Sequence, residues 1–226
     1  MLENIFKIII GIALCSLVSC DKEKNGTLTD KDAIDSIDAK EKVTDCFNGY
    51  KESILAEDGD KAVKFLSSGT VELYQKYVDL ALDAEKDEIQ KLSFINRMQA
   101  IFIRHRVAPD KLRLFDGREA LVYAVNNGWI GRDETIGTSL GEVYASGDKA
   151  VANVIIKGTP TNQSFHFVCE DGVWKMDLEK LLVATNVQMK RVVQESGMGE
   201  DQFIFTVLES VSGKKVQDSV WDPVGR

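Results

Sequence analysis

The sequence predicts an α+β protein: N-terminal helices packed on a curved four-stranded antiparallel sheet, followed by a helical C-terminal extension. Two observations carry this. The apolar period is helical from about residue 43 to 128, becomes two near residue 136, and turns helical again after about residue 178. Turn signals rich in glycine separate the four alternating runs. At 226 residues, 44% hydrophobic and 28% charged, the chain suits one domain with an appendage and has the balance of an ordinary globular protein.

The first elements in order are not part of that body. Ile8–Val18 is an apolar run interrupted by Gly11 and Ser16, with Lys7 before it. It is too short for the ~20 residues that span a bilayer core, so it reads as an export signal. The run ends in Leu17-Val18-Ser19-Cys20, which resembles the lipobox of bacterial lipoproteins. The resemblance implies removal of residues 1–19 and lipidation of Cys20, which would carry diacylglycerol and an acylated amine. Two or more acyl chains make such anchoring stable. Asp21-Lys22-Glu23-Lys24 resembles sorting signals of two kinds, for inner-membrane retention and for surface export, and leaves both open. Residues 20–42 hold few large apolar side chains and read as the lipidated cysteine and a flexible tether.

The body starts near residue 43. Cys46, Phe47, Tyr50 and Ile54 recur at helical spacing, and Asp58-Gly59-Asp60 stops that helix and starts a short one through Val63 and Leu66. Ser67-Ser68-Gly69-Thr70 supplies N-cap oxygens for a stripe of Leu73, Tyr74, Tyr77, Val78, Ala81 and Ala84. Ile89, Leu92, Ile95, Met98 and Phe102 form the next stripe, bounded by Pro109. A helix over Arg118–Asn127 ends at Gly128, the residue type expected just past a helix C-terminus.

Thr138–Ala145, Ala150–Lys157, Ser164–Glu170 and Val173–Leu178 are the expected strands. Ser146-Gly147-Asp148 and Asp171-Gly172 are short turns, and Gly158 to Asn162 is a longer one. Phe165, Phe167 and Cys169 share a face, as do Trp174, Met176 and Leu178. In the tail, Leu181, Leu182, Met189 and Val193 suit one helix stopped at Gly197. Phe203, Phe205, Val207, Leu208 and Val211 suit another stopped at Gly213, and Val216–Trp221 gives a last turn before Pro223.

Helices followed by such a sheet resemble the nuclear transport factor two-like fold, a cone whose concave sheet wraps a long helix. The residues that carry the resemblance are Gly147 to Val151 at the first hairpin and Glu170 to Asp177 at the last, with its Gly-x-Trp-Lys-x-Asp pattern. It covers residues 43–182 and leaves 183–226 as an extension. The fold implies shape, and its members range from enzymes to plain binding domains. Some of them dimerise through the outer sheet face, which makes a second copy one partner to consider.

Chemical signals are sparse. Gly137-Thr138-Ser139-Leu140-Gly141 matches the G-x-S-x-G spacing of a nucleophile elbow, with Asp148 and His166 following. An elbow needs a strand before it and a helix after it, whereas an alternating run and a hairpin follow here, so the match reads as chance. Arg104-His105-Arg106 closes a helix, where cations suit the dipole, and offers an anion-binding corner with Lys111 and Arg113 nearby in sequence. His105 among cations would stay neutral at pH 7. His166 alternates with Phe165 and Phe167; if those face outer helices, it faces the cone interior. Arg104, His105, Arg106 and His166 are therefore the candidate ligand contacts. Two isolated histidines give no zinc spacing, and no P-loop, Rossmann or other cofactor pattern occurs, so neither metal nor cofactor is expected. Cys46 and Cys169 remain outside the N-terminal segment. An exported context permits a disulfide worth roughly 4–5 kcal/mol in the chain-entropy model, and two buried thiols are the equal alternative.

Net charge is −8, which gives no general attraction for nucleic acid. The expectation is an envelope lipoprotein held on a membrane by its N-terminal lipid. It would act as a non-enzymatic binding or assembly module toward an unidentified protein partner. The alternative is a pocket protein for a small apolar or anionic ligand in the cone; an enzyme using His166 or His105 has the least support.

Overall fold

The computed structural model describes residues 30–129 and 132–225. The export signal, Cys20 and the first part of the expected tether lie outside them. Within them the protein is α+β, with helices packed on a four-stranded antiparallel open sheet and further helices after it.

Helix α1 runs Asp30–Leu55. It thus begins within the segment expected as tether. The reason is visible at its inner side: Val43, Cys46, Phe47 and Ile54 are buried at helical spacing, and Ala39 continues their line. Asp58 caps the one-turn α2 (Gly59–Ala62) by accepting from the Lys61 amide at 2.9 Å. A 3-10 turn, Val63–Phe65, follows. Ser67 then caps α3 (Ser68–Asp83), its Oγ accepting from the Thr70 amide at 3.1 Å.

The stripe from Ile89 to Phe102 is split. A capping box starts α4 (Lys86–Lys91), and Ser93 caps a separate helix, α5 (Phe94–Arg106). Pro109 opens the one-turn α6 (Pro109–Leu112) at its first position. Asp116 and Glu119 form a second capping box at α7 (Gly117–Asn126). Beyond Gly128, which has φ 62°, the Trp129 amide donates to Ala124 O at 2.9 Å and the Gly128 amide to Val125 O at 3.0 Å. This pairing of bonds is a Schellman motif. A short helix, α8 (Arg132–Gly137), leads into the sheet.

The strands are β1 (Thr138–Ser146), β2 (Lys149–Ile156), β3 (Thr159–Glu170) and β4 (Val173–Asp177), in that spatial order. Two-residue turns join them. Asp171 and Gly172 both have positive φ, as do Lys157 and Gly158, so the loop expected up to Asn162 is a tight turn and β3 starts early. Phe167 pairs with Ala150 on one side and Met176 on the other, and Cys169 pairs with Trp174. That inner face packs on α1, with the Phe47 and Phe165 rings 5.6 Å apart. Trp174, 7% exposed, is a core aromatic there. Cys46 and Cys169 belong to the same apolar layer and are free thiols; Cys46 Sγ donates weakly to Phe65 O at 3.7 Å.

After the sheet come α9 (Leu178–Ser196), α10 (Glu200–Ser212) and a 3-10 turn, Asp218–Trp221. Gly197 and Gly213 end the two helices in the left-handed region. Met189, Val193, Phe203, Ile204, Val207 and Leu208 pack with Phe94, Ile95, Met98 and Ile101 into one core. The segment expected as an appended extension therefore shares its core with α4 and α5.

Candidate functional site

Three consecutive basic residues end α5, and successive helical residues point about 100° apart. The structure accordingly sends them to three places. Arg104 turns inward and is 9% exposed. Its Nε donates to Ala81 O, its Nη1 to Val220 O and Trp221 O, and its Nη2 to Leu80 O and Ala84 O, at 2.5 to 3.3 Å. Those five bonds use the whole donor set of a guanidinium. Arg104 is a staple between the end of α3 and the C-terminal turn, with no donor left for a ligand.

His105 points to α10, where its Nε2 lies 2.8 Å from Ser212 Oγ. Burial holds its pKa below the usual imidazole range, and Lys214 and Arg106 push the same way against Glu209. It edges a surface groove with Arg113, whose guanidinium is engaged by Asp110, Val224 O and Gly225 O. Of the expected anion corner, Arg104, His105 and Arg113 thus meet at this groove with both guanidiniums engaged by the protein, and Arg106 lies apart in another cavity.

His166 sits opposite Phe165 and Phe167. Because those two rings face α1 in the core, His166 faces away from it, into a groove lined by Lys180, Leu181, Thr185 and Gln188 of α9. The two phenylalanines take the inner side, so the condition under which His166 would face the cone interior is not met. Burial lowers its pKa, opposed by Asp177, its cross-strand partner. Ser139 of the G-x-S-x-G match is an exposed residue of β1, followed by strand, so no elbow forms there.

The inner face of the sheet carries Phe165, Phe167, Trp174 and Met176 in the core, and a cavity among the described residues lies elsewhere. A cavity of about 170 Å³ opens among the helices, with no strand residue in its wall. The spacing of α5 puts Gln99, Phe102, Ile103 and Arg106 on its lining side. Ala120, Leu121, Ala124 and Val125 of α7 form the facing stripe. Met98 of α5, Tyr50 of α1, Tyr74 of α3, Val63, Leu66, Leu178 and Trp129 complete it.

Its polar groups are few. Burial pushes the Tyr74 phenol up to about 12 and raises Tyr50 as well, so both hydroxyls stay neutral. Arg106 is half-buried and remains a cation, its guanidinium carbon 4.5 Å from the centroid of the Trp129 ring. The Schellman motif fixes the Trp129 backbone, and an edge-on contact with Tyr123, centroids 5.5 Å apart, fixes its ring. The described lining carries no carboxylate, imidazole or thiol.

Of the sequence candidates, Arg106 alone reaches this cavity. Tyr50 and Tyr74 were legible only as members of apolar stripes. Trp129 follows a correctly placed Gly128, and that glycine is the signal that the chain folds back over α7. Among the described residues no three metal-ligating side chains converge, and no helix is long and apolar enough to cross a membrane. No protein-family model matches this chain, and no curated protein or solved structure matches it either.

Proposed function

We propose that this protein is a non-enzymatic binding module carried on the bacterial cell envelope by an N-terminal lipid, and that it holds a small, largely apolar molecule in the helix-lined cavity. The observation that carries the binding reading is the cavity itself: about 170 Å³, apolar-walled, with neutral phenols and one cation and no acid–base pair. An apolar cavity of about 150 Å³ takes up benzene, so this one has room for a single ring. The anchor reading draws on Leu17-Val18-Ser19-Cys20 behind a short apolar run. Helices that precede a four-stranded antiparallel meander support the likeness to the nuclear transport factor two-like fold.

Both parts have direct tests. Toluene should raise the melting temperature of the wild type, while Ala124→Leu, which fills the cavity, should abolish the shift without lowering the melting temperature by more than a few degrees. An unshifted wild type sinks the cavity reading. For the anchor, the native protein should have the mass of a chain cut before Cys20 plus acyl groups, and Cys20→Ala should lose its partition into detergent. An unlipidated native protein refutes it.

Assembly with a protein partner is the second reading. Val183 and Val187 of α9 favour it, being one turn apart and 63% and 57% exposed. Crosslinking from α9 in intact cells would capture such a partner or a second copy, and would find neither if that face is merely solvated.

A further inference from the structure

Among the described arginines that are not exposed, Arg106 stands apart. Arg97 donates to Glu200 at 2.9 Å and Asp201 at 2.6 Å. Arg104 meets five carbonyls, Arg113 meets Asp110, and Arg118 meets Asp60 at 2.8 Å. Arg106 is half-buried in the cavity wall, yet among the described residues no carboxylate lies within ion-pair distance and no carbonyl accepts from it. The chain has 36 acidic residues against 28 basic ones, so a partner was not wanting for lack of acids. The guanidinium keeps an accessible edge in the cavity wall, and its contact with Trp129 is the one favourable partner the described residues give it. Among the described residues no acceptor meets its N–H donors, and such a fork can receive a carboxylate in bidentate fashion.

The other walls set the size and body of the guest. Phe102, Ile103, Leu121 and Val125 give an apolar chamber with room for about one ring. The Tyr50 and Tyr74 hydroxyls and the Gln99 amide make no hydrogen bond to the protein among the described residues. They can meet a polar ring substituent but cannot neutralise a charge.

We infer that the ligand is a single-ring aromatic carboxylate, its ring in the chamber between α5 and α7 and its carboxylate on the N–H edge of Arg106. This rests on the binding-module reading and adds the charge and the orientation of the guest.

Three probes that share one ring separate the two claims. Benzoate, benzyl alcohol and benzylammonium are titrated into the wild-type protein by calorimetry, with Trp129 fluorescence as a second readout. The expected result is that benzoate binds about ten- to a hundredfold more tightly than benzyl alcohol, the range for hydrogen bonds to a charged group. Benzylammonium should be the weakest of the three. Arg106→Gln, checked for folding by circular dichroism, should remove the difference between benzoate and benzyl alcohol. Equal binding of benzoate and benzyl alcohol by the wild type would overturn the carboxylate inference and leave the cavity reading intact. Retention of the benzoate preference in Arg106→Gln would overturn the placement at Arg106. Failure of all three probes, together with toluene, would bring down both.

Discussion

Arg104, His105 and Arg106 show how little a residue's type says about its task. In the sequence they form one cationic corner. In the structure one ties backbone carbonyls together, one faces α10 and one lines a cavity. Helical rotation could have been read from the sequence, but not which neighbours would stand at each angle, because α3, α10 and Trp129 arrive from distant parts of the chain. His105 yields a prediction in pH. Its folded pKa lies below the unfolded value of about 6.5, chiefly through burial. The unfolded chain therefore takes up its proton first as pH falls. The stability contributed by the neutral ring is present above about pH 6.5 and is lost as pH drops through that value toward the folded pKa. His105→Gln keeps a hydrogen-bonding group beside Ser212 and removes the titration. Its urea midpoint should fall less than that of the wild type between pH 7.5 and 5; parallel curves would mean that another group supplies the slope.

At the scale of elements, local chemistry was legible wherever a turn or cap is written in a few adjacent residues. Asp171-Gly172, Gly128 and Ser67 act as their types predict. Ser93 was missed because an unbroken apolar stripe runs across it, and the Lys157-Gly158 turn because Gly158 to Asn162 is a run of turn-forming residue types. Pro160 is tolerated in β3 at the point where the β2–β3 register shifts, between Asn153 and Ile155. Packing between elements left fainter marks. Gly117, the first residue of α7, has its amide on Gln75 Oε1 at 2.9 Å, and a Cβ there would stand 2.3 Å from Val71 O and 2.5 Å from Gln75 N. Both clashing atoms are backbone of α3, so neither can swing aside. Gly117→Ala should lift α7 from α3 and cost about 1–3 kcal/mol, the range for overpacking. Because α7 carries four residues of the cavity wall, the same variant should also change toluene uptake. Calorimetric melting with and without toluene checks both effects, and a variant with wild-type melting and uptake would show that α7 tolerates the shift.

Across the whole molecule, the fold class was legible because it depends on periodicity, and the division of the chain was harder to read because it depends on which apolar faces meet. The stripe of α5 has two sides to satisfy. One lines the cavity, and the other, Phe94, Ile95 and Ile101, is covered by Met189 and Val193 of α9 and by Phe203, Ile204 and Val207 of α10, with Met98 reaching both. The last turn then closes over this core, with Val220 and Trp221 buried and the Gly225 amide donating to Leu82 O at 2.8 Å. Arg104 and Arg113 hold that turn by its carbonyls. Nothing in the sequence of residues 183–226 marks them as separable or essential; their amphipathic stripes suit either case. The shared core argues for the second. A chain ending at residue 182 would expose Phe94, Ile95 and Ile101 to water and strip Arg104 of two of its five acceptors. Each large side chain left uncovered forfeits about 1.5–3 kcal/mol of burial, and three or four of them equal a typical domain's whole stability. The truncated chain should therefore lack a cooperative thermal transition and expose surface that binds a hydrophobic dye, whereas a sharp transition near that of the full chain would show that residues 183–226 are an extension after all.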